Sequence, residues 1–550
     1  MNERSSAGMK IQQSNCFYNY IVGLNATDVD LVKTAGSLLK SGFSKAVCFS
    51  DLKSLYLDKE GDVQIEWIQP GGRQWDSNWE IKFSEELPPH VANDLIFCLE
   101  LSFHEQRIES SEAKQIPDYL RTALPPIVLE NDGSTLPVYP WLKVYSDGII
   151  ILSFQLDTTW ENIDESFFIE NVVNIFQRYF TRIWIQEKIQ RLDAELLLPK
   201  AYIQELSVGG QKIQGWKSTR LRNKIRTESR AELDKSLLRH GQLFEIDDES
   251  WILHQIAGSE DKEDWEATLD LCRSIYVNAV TSLVVPSKKK SYSYLKQVQM
   301  WQGRPSISLI RFQNQPDTKV DLFKNFSSSI SRILMRSARL SNPPALPPDL
   351  RLFGDYSFHG NRALLLWTWL RAGNSSDDAW EEVSTKGRIF ENQARAEHFE
   401  YHNLRIARAC ATAASPSTDE RLITAYEVLA SAESVTHNSG QAGEIIDAIS
   451  YLLDAVGTSR LITAGKEQAR WHLDERRYNN DKKRSLIDRW LAVLFGFVGS
   501  AGLADLVVQP FLKNTYPHLG EATIGLSAFV FASSIVGLVA FTIWGVNKLR

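Results

Sequence analysis

Short apolar runs separated by turn-forming residues occupy the chain from its start to about residue 156. Runs such as KAVCFS, DVQIEWIQ and DLIFCLELSF are rich in β-branched and aromatic residues, which is typical of strands. The clearest unit is WLKVYSDGIIILSFQL, in which two extended runs flank Asp147 and Gly148, a pair that favours a tight hairpin turn. We therefore expect this region to be built around a sheet.

A helical spacing follows the predicted hairpin. In residues 164–198, apolar side chains recur at Phe168, Val172 and Ile175 and continue with the same spacing. This spacing predicts one long helix that buries a single side. A sheet followed by a helix indicates an α+β fold.

The middle of the chain alternates again and then changes character. Residues 201–341 form either a second α/β lobe or the remainder of the α/β domain predicted for 1–200. The proline-rich NPPALPPDL at 342–350 cannot enter a helix or a central strand, so a domain joint is expected there. Beyond it, segments such as NRALLLWTWLRAG indicate an all-α region over 350–489. Its last helix can run from Leu461 into Trp490 as a stalk, interrupted only by Gly465.

Two long apolar runs end the chain, over 490–512 and 522–546, and the second contains no charged residue. Each exceeds the roughly 20 residues that a helix needs to cross a bilayer. The connection KNTYPHLGE is too short for a domain, so 490–546 predict a two-helix transmembrane hairpin. The alternative is a pair of buried core helices, but little chain remains that could bury them.

Basic residues give the hairpin an orientation. They precede the first run and follow the second, which places both termini in the cytoplasm of a multi-pass protein of the inner membrane. The flanking basic residues are Lys482, Lys483, Arg484, Arg489, Lys548 and Arg550.

The cysteine pattern and the net charge exclude some kinds of site and partner. The five cysteines are odd in number and form no CxxC pair, so neither a disulfide framework nor a zinc site is indicated. The net charge of −7 favours no nucleic acid partner.

Small residues line both predicted spans. Rows of glycine, alanine and serine let helix backbones approach closely in lipid, where packing drives association. The row fits either contacts within one hairpin or contacts between the hairpins of a homo-oligomer. The predicted packing positions are Gly496, Gly499, Ser500, Gly502, Ser533 and Gly537.

Asp505 is a carboxylate inside the first run. Charges within a membrane cost at least ~2.5 kcal/mol on insertion scales and usually face an interior, a water-filled path or a partner. In a ring of identical hairpins, Asp505 would attract cations. Alternatively, it lies near the outer face, where water or Lys513 neutralises it.

The stalk LITAGKEQARWHLDERRYNNDKKRSLIDRW, the two spans, the loop KNTYPHLGE and the basic tail NKLR resemble the CorA-like two-helix metal-ion transporters. The resemblance covers about the last third of the chain. It implies a pentameric pore and a divalent cation, such as Mg²⁺, as the transported ion. The Gly-Met-Asn tripeptide of that family does not occur here. Gln509, Pro510 and Asn514 are the nearest substitutes, so the resemblance implies a pore more than a particular ion.

A basic cluster lies in the middle region, within KIQGWKSTRLRNKIRTESR. On a helix it is either a solvated face or a site for an anionic ligand such as a nucleotide. Its candidate ligand-binding residues are Lys217, Arg220, Arg222, Lys224 and Arg226.

Enzyme motifs are missing from the sequence: it has no P-loop, GxSxG or HExxH. His398 and His402 share a helix face, but no third metal ligand lies near them in sequence. We therefore expect a non-enzymatic protein without a bound cofactor. The leading hypothesis is an oligomeric cation channel or transporter gated by a large cytoplasmic domain. The alternatives are a ligand-activated effector that permeabilises the membrane, as in bacterial antiviral defence, and a tail-anchored interaction scaffold.

Overall fold

The structure is a computed structural model of the 550-residue chain. The residues that it describes are 9–58, 63–67, 70–71, 80–81, 87–108, 116–131, 133–158, 162–193, 216, 219–221, 223–225, 227–228, 231, 241–256, 267–287, 298–373, 383–415, 418–435, 443–518 and 520–549.

Strands dominate the chain up to residue 369. They are β1 Lys10–Leu24, β2 Ala46–Phe49, β3 Lys53–Leu57, β4 Val63–Trp67, β5 Pro70–Gly71, β6 Glu80–Ile81, β7 Tyr119–Ala123, β8 Ile127–Asn131, β9 Ser134–Tyr145, β10 Ile149–Thr158, β11 Ile163–Asp164, β12 Tyr179–Phe180, β13 Arg182–Ile185, β14 Gly241–Ile246, β15 Glu249–Gln255, β16 Ala267–Thr268, β17 Val298–Phe312, β18 Tyr356–Gly360 and β19 Leu365–Trp369.

Helices become the main element after residue 383. They are α1 Leu31–Lys40, α2 Pro89–Ile108, α3 Glu165–Phe168, α4 Leu269–Leu283, α5 Lys319–Asn325, α6 Ser327–Leu334, α7 Val383–Ala414, α8 Asp419–Val435, α9 Gly443–Val456, α10 Ser459–Leu503, α11 Gln509–Thr515 and α12 Glu521–Leu549, with π-helical turns at Ile169–Val173 and Ala504–Val508 and 3₁₀ turns at Ile175–Gln177 and Arg371–Gly373.

One large, mostly antiparallel sheet organises the first part of the chain. Its main path runs β14-β15-β13-β8-β9-β10-β1-β17-β19-β18. Outside this path, β11 pairs with β1 and β7 pairs with β9, and β2, β3 and β4 follow β7 in that order. Strand β17 pairs with β1 antiparallel and with β19 parallel. The predicted hairpin is confirmed as β9 and β10, which turn at Asp147 and Gly148, and Gly148 has a φ of +82°.

The two faces of the sheet differ in chemistry, because successive side chains of a strand point to opposite faces. On the first face, Tyr18, Tyr20 and Phe154 belong to the main apolar core. Helices α1, α4 and α6 cover that face. On the second face, Asn19 and Ser153 are buried polar residues. Helices α2 and α7 pack on the second face, and α7 meets it both through polar groups and through an apolar cluster that contains Tyr401 and Leu404.

The chain divides into two compact units. The first comprises 1–411 and 427–465 and contains the sheet. The second comprises 412–426 and 466–550 and is helical in its described residues. The structure thus has an N-terminal α+β region and a C-terminal helical region, as the sequence predicts.

The long helix predicted over 164–198 is wrong. Glu165–Phe168 forms one α-helical turn, a π-helical turn and a 3₁₀ turn follow, the chain then enters β12 and β13, and α-helix returns only at 187–193. Strand β13 pairs with β8, and Ile183 is fully buried. Pairing within the sheet therefore overrides the helical spacing, because β-branched and aromatic residues also favour strands.

In two further segments the predicted strand and the predicted helix are each replaced by the opposite element. The run DLIFCLELSF lies in helix α2 and is not a strand. The segment NRALLLWTWLRAG, expected to be helical, contains β19, whose five residues are all buried between β17 and β18. A fully buried strand is a continuous apolar run without periodicity, so the pattern alone does not distinguish it from a buried helix.

The sheet crosses the domain boundaries predicted from the sequence. Strand β17, from the predicted lobe 201–341, pairs with β1 along nearly its whole length. Strands β18 and β19 follow the proline-rich 342–350 and extend the same sheet. The proline segment therefore runs beside the edge strand, where the Leu350 amide donates to the Phe358 carbonyl.

The predicted stalk is confirmed as a continuous helix. Helix α10 runs from Ser459 to Leu503 without a break at Gly465. At Gly465 a larger side chain would press on Cys410 and Leu429, so glycine allows close helix packing there.

Candidate functional site: a C-terminal apolar helix pair and a buried polar seam

The end of the chain forms a pair of contacting helices. Ala528 and Ala532 of α12 are buried against Ala504, which lies in the π-helical turn after α10. Val508 and Leu512 complete this small apolar contact. Because the three central residues are alanines, the helix backbones can approach closely, which is the packing mode of helices in lipid.

Most of α12 exposes apolar side chains. Leu526, Leu538 and Phe541 are 68–69% exposed, and Phe529 and Phe531 are exposed as well. Within the described residues, Glu521–Leu538 is the one stretch of helix long and apolar enough to cross a membrane, and 17% of it is buried. Such a surface is unfavourable in water, because a soluble monomer rarely exposes a large contiguous apolar patch.

The predicted first span, 490–512, is helical along its whole length, but it is not a uniform α-helix. The π-helical turn Ala504–Val508 contains Asp505 and ends just before Pro510. Proline has no N–H to donate, and π-helical turns often occur at functional positions in helices. The structure therefore marks the surroundings of Asp505 as irregular, which the sequence pattern did not predict.

Asp505 itself is exposed. Lys513, its alternative partner, instead pairs with Glu521 at 2.9 Å, across the connection between α11 and α12. Gln509 is half-buried and Asn514 is exposed. The connection is shorter than the predicted loop KNTYPHLGE, because α11 continues to Thr515 and α12 begins at Glu521.

The predicted packing glycines are open within this single chain. A Cβ atom built on Gly499, Gly502 or Gly537 would meet nothing within 4 Å. Ser533 is half-buried beside the alanine contact. The surroundings of Gly496 and Ser500 lie outside the described part of the structure. The glycines therefore remain available for contacts with another helix.

The predicted basic cluster is only partly described. Arg220 and Lys224 are exposed on helical residues, and Lys224 lies 3.6 Å from Glu228. Lys217, Arg222 and Arg226 lie outside the described residues. The exposed pair is consistent with both a solvated face and an anion site.

A second candidate site lies inside the first unit, between helix α7 and the second face of the sheet. Gln393 donates to the Asn19 side-chain oxygen at 2.8 Å, and Asn392 donates to the Ser308 carbonyl at 2.7 Å. We call this layer of buried polar contacts the polar seam. Its members are Asn392, Gln393, Glu397, His398 and Glu400 of α7 and the facing Asn19, Glu105, Arg121, Lys143, Arg304 and Ser306.

Two cations and two carboxylates form the centre of the polar seam. Arg121 of β7 lies 2.7 Å from Glu397 and 2.9 Å from Glu105, and Lys143 of β9 lies 2.5 Å from Glu105. The four side chains are at most 4% exposed. The charges balance within the cluster, as buried charges must to remain ionised.

Burial and pairing shift the pKa values of this cluster in opposite directions. Burial alone would raise the pKa of Glu105, but the neighbouring Lys143 and Arg121 lower it to about 2. Burial and the Arg121 charge lower the pKa of Lys143 to about 8, against the opposing effect of Glu105. The Glu105 carboxylate is therefore held ionised by Lys143 and Arg121.

His398 and His402 lie beside this cluster, with ring centroids 4.5 Å apart. Neither ring nitrogen of His398 has a hydrogen-bond partner among the described residues, although the side chain is buried. Burial lowers the pKa of His398 to about 4 and that of His402 well below its usual value. Both imidazoles are therefore neutral at physiological pH. Within the described residues, no group of three or more His, Cys, Asp or Glu could hold a metal ion.

Helix α7 continues from the polar seam to other elements of the first unit. Tyr401 donates to the Asp147 carboxylate at 3.0 Å, at the β9–β10 turn. Further along, the Cys410 thiol lies 3.4 Å from the Leu461 carbonyl in α10. Helix α7 therefore touches both the sheet and the first turns of α10.

An open groove of about 730 Å³ lies elsewhere in the first unit, beside α5. Arg351 forms part of its lining, but its guanidinium already binds Asp355 at 2.7 Å and Glu444 at 3.1 Å. The cation is thus neutralised by the protein itself, and Lys319 in the lining pairs with Asp349, so each charged group among the described lining residues has a partner.

Sequence reasoning missed the polar seam. A signal was present, since Gln393, Glu397 and Glu400 recur at helical spacing within one helix. Such a stripe ordinarily indicates a solvated face, and only the facing Arg121 and Lys143, more than 250 residues earlier, change its meaning. No family model, curated protein or solved structure matches this chain.

Proposed function

We propose that this protein is an oligomeric cation channel or transporter of the cytoplasmic membrane, gated by its large N-terminal region. The observation that carries the proposal is helix α12, whose large apolar side chains point outward while its alanines pack on Ala504. Lipid hydrocarbon solvates such a surface, because its apolar tails can surround the exposed Leu and Phe side chains without a protein partner.

In this proposal, residues 490–512 and 522–546 cross the bilayer as a hairpin. The basic residues before the first span and after the second keep both termini in the cytoplasm. The Lys513–Glu521 pair then lies at the outer surface, where exposed charges remain hydrated. Trp490 and Tyr516 are exposed at the two ends of the first span, as interfacial aromatic residues are.

If several hairpins assemble, the ion-conducting pathway lies between them. Gly499, Gly502 and Gly537 are open in the single chain and can receive helices of other subunits. Asp505, exposed in its π-helical turn, would face the pathway and attract cations. Resemblance to the CorA-like transporters favours a pentamer and a divalent ion such as Mg²⁺.

Gating by the soluble region rests on the continuity of α10. The helix begins beside α7 and α9 and extends without interruption to Leu503, directly before the Asp505 turn. A continuous helix transmits a displacement of one end along its axis, because each turn is hydrogen-bonded to the next.

The first test is the mass of the full-length protein in mild detergent, measured by light scattering and corrected for bound detergent. We expect a particle of several subunits. A monomer would contradict the channel and would leave the hairpin as a tether, as in the scaffold hypothesis.

The second test is ion flux into proteoliposomes, with Mg²⁺ and then monovalent cations. We expect Asp505→Asn to reduce cation flux at least tenfold, because the pathway loses its carboxylates. Glu521→Gln is the matched control, since it removes a carboxylate at the connection and should leave flux nearly unchanged. Equal flux through wild type and Asp505→Asn would contradict the role of Asp505.

A further inference from the structure

The junction between α7 and the sheet differs from the other junctions of the first unit. Helices α1, α4 and α6 cover the first face of the sheet through an apolar core that includes Leu38, Tyr276 and Ile333. In the polar seam, α7 instead meets the sheet through paired charges and amides. An apolar junction is lost only at the cost of exposing hydrocarbon to water, whereas separated charges regain their hydration. Hydration therefore offsets part of the cost of separating the polar seam, while Tyr401 and Leu404 of α7 also pack on Ile21 and Ile151 in an apolar cluster.

One group in the polar seam gains nothing from being buried. His398 is 1% exposed, and both its ring nitrogens are without a hydrogen-bond partner among the described residues. A buried imidazole without a partner loses the hydrogen bonds that water would make to it. The open arrangement of α7 restores those bonds.

The charges around His398 come from every element that packs on it. Helix α2 contributes Glu105, which favours the imidazolium, and β9 contributes Lys143, which opposes it. On the same helix, His402 is within ring contact, so the two imidazoles disfavour each other's protonation. The further titratable groups of the cluster are Arg121 and Tyr119 of β7, Tyr145 of β9, and Glu397 and Tyr401 of α7.

We propose that the polar seam is a proton-linked latch, in which α7 stays docked on the sheet while His398 is neutral and protonation of His398 releases it. An imidazolium at this position would place a third cation beside Arg121 and Lys143, against only the two carboxylates Glu105 and Glu397. The imidazolium is accommodated when α7 moves away and water enters. Release of α7 also frees the contact of Cys410 with α10, so the latch controls an element that adjoins the stalk.

The direction and the size of the pH dependence of α7 opening follow from proton linkage. Docked His398 has a pKa of about 4, because burial disfavours the charged form. Exposed to water, a histidine has a pKa of about 6.5. The open state therefore binds the proton more tightly, and the opening equilibrium rises as the pH falls below about 6.5. Between pH 7.5 and pH 5.5, this one site favours opening by about tenfold.

The test is hydrogen–deuterium exchange of the full-length protein in detergent, at pH 7.5 and pH 5.5. Rates are converted to protection factors, which removes the intrinsic pH dependence of exchange. We expect amides of residues 393–403 to lose at least about tenfold in protection at pH 5.5, while β1 and β10 keep theirs. The variant His398→Leu, of similar volume, should lose about tenfold less protection than wild type, because only the buried His402 of α7 remains to titrate.

Three results would overturn the latch: wild-type protection in α7 that does not change with pH, an equal loss in His398→Leu, or an equal loss in β1 and β10, which would indicate global unfolding. If His398→Leu does not fold, His398→Gln serves in its place, since it is neutral at both pH values and can make hydrogen bonds. The matched control is His472→Leu, which removes a histidine from α10 and should preserve the wild-type response. The measurement needs no ion flux, so its failure is distinct from a failure of the proposed channel.

Discussion

Arg121 of β7 binds Glu397 of α7 at 2.7 Å, and both side chains are almost completely buried. The pair joins a strand to a helix more than 270 residues later in the chain. Neither charge is accessible to water, so each one depends on the other and on the neighbouring Glu105 and Lys143. This relationship makes the sheet–α7 junction sensitive to single substitutions.

Removing one partner of this pair should destabilise the first unit. We expect Glu397→Ala to lower the free energy of unfolding by about 3–5 kcal/mol, because Arg121 keeps its buried charge and loses a counterion. Chemical denaturation of the full-length protein, followed by tryptophan fluorescence, measures the change. Lys33→Ala is the control: Lys33 also pairs with a carboxylate, Asp30, but is 71% exposed, so its loss should cost less than about 1 kcal/mol. Equal effects of the two substitutions would contradict a special role for the buried pair.

Acid should weaken the first unit through Glu105. The pKa of Glu105 is lowered to about 2 in the folded protein, since Lys143 and Arg121 outweigh the effect of burial. A lowered pKa contributes stability above the unfolded value of about 4.3, and that stability is lost as the pH falls toward 2. We expect a loss on the order of 3 kcal/mol over this range, measured as the urea midpoint against pH.

The substitution Glu105→Gln isolates this contribution. The variant should be less stable than wild type at pH 6 and should lose less stability between pH 4.3 and pH 2. A wild-type slope retained in Glu105→Gln would assign the acid sensitivity to other carboxylates.

Gly148 and Gly133 offer a matched pair for the backbone of the β9–β10 region. Both have positive φ, +82° and +80°, which disfavours a residue with a Cβ. At Gly148 a Cβ would also clash with the Ala26 carbonyl, whereas at Gly133 it would meet nothing within 4 Å. We expect Gly133→Ala to cost about 1–2 kcal/mol and Gly148→Ala clearly more. Thermal unfolding of the two variants checks the order, and similar melting temperatures would contradict the close approach at Gly148.

The alanine contact of α12 should tolerate no larger side chain. Ala528 is 1% exposed against the turn that contains Ala504, and its neighbour Ser527 is exposed. We expect Ala528→Leu to destabilise the helix pair by about 1–3 kcal/mol through overpacking, while Ser527→Leu is nearly neutral. Size-exclusion profiles after graded heating in detergent compare the two. If Ser527→Leu aggregates first, the face of α12 that carries Ser527 makes the more important contact.

Much of the local structure could be predicted from the sequence. The β9–β10 hairpin, the strand in PSISLIRFQ and the continuous helix α10 all follow from short-range patterns. The two C-terminal helices likewise follow from their apolar composition. Each of these elements is specified by neighbouring residues, because turn chemistry and periodicity act within one segment.

Segments whose conformation is set by packing partners distant in the chain were among the errors. The stretch that forms β19 and the stretch that forms α2 are both long apolar runs, and each took the conformation opposite to the one predicted. Their conformation depends on which strands and helices lie beside them, and that information is spread over the whole chain. The same holds for the sheet that joins β1, β17 and β19 across the predicted boundaries.

The sequence by itself determined that the chain has a sheet-containing N-terminal part, a long terminal helix and two apolar runs at the end, the first of which contains one acidic residue, Asp505. Only the tertiary structure decided that Glu397 and His398 are buried, because a charged stripe on a helix is solvated unless opposite charges cover it. Arg121 and Lys143 supply that cover from two strands distant in sequence. The energy of a buried charge depends on the dielectric and on the partners around it, and both exist only once the sheet and α7 have come together.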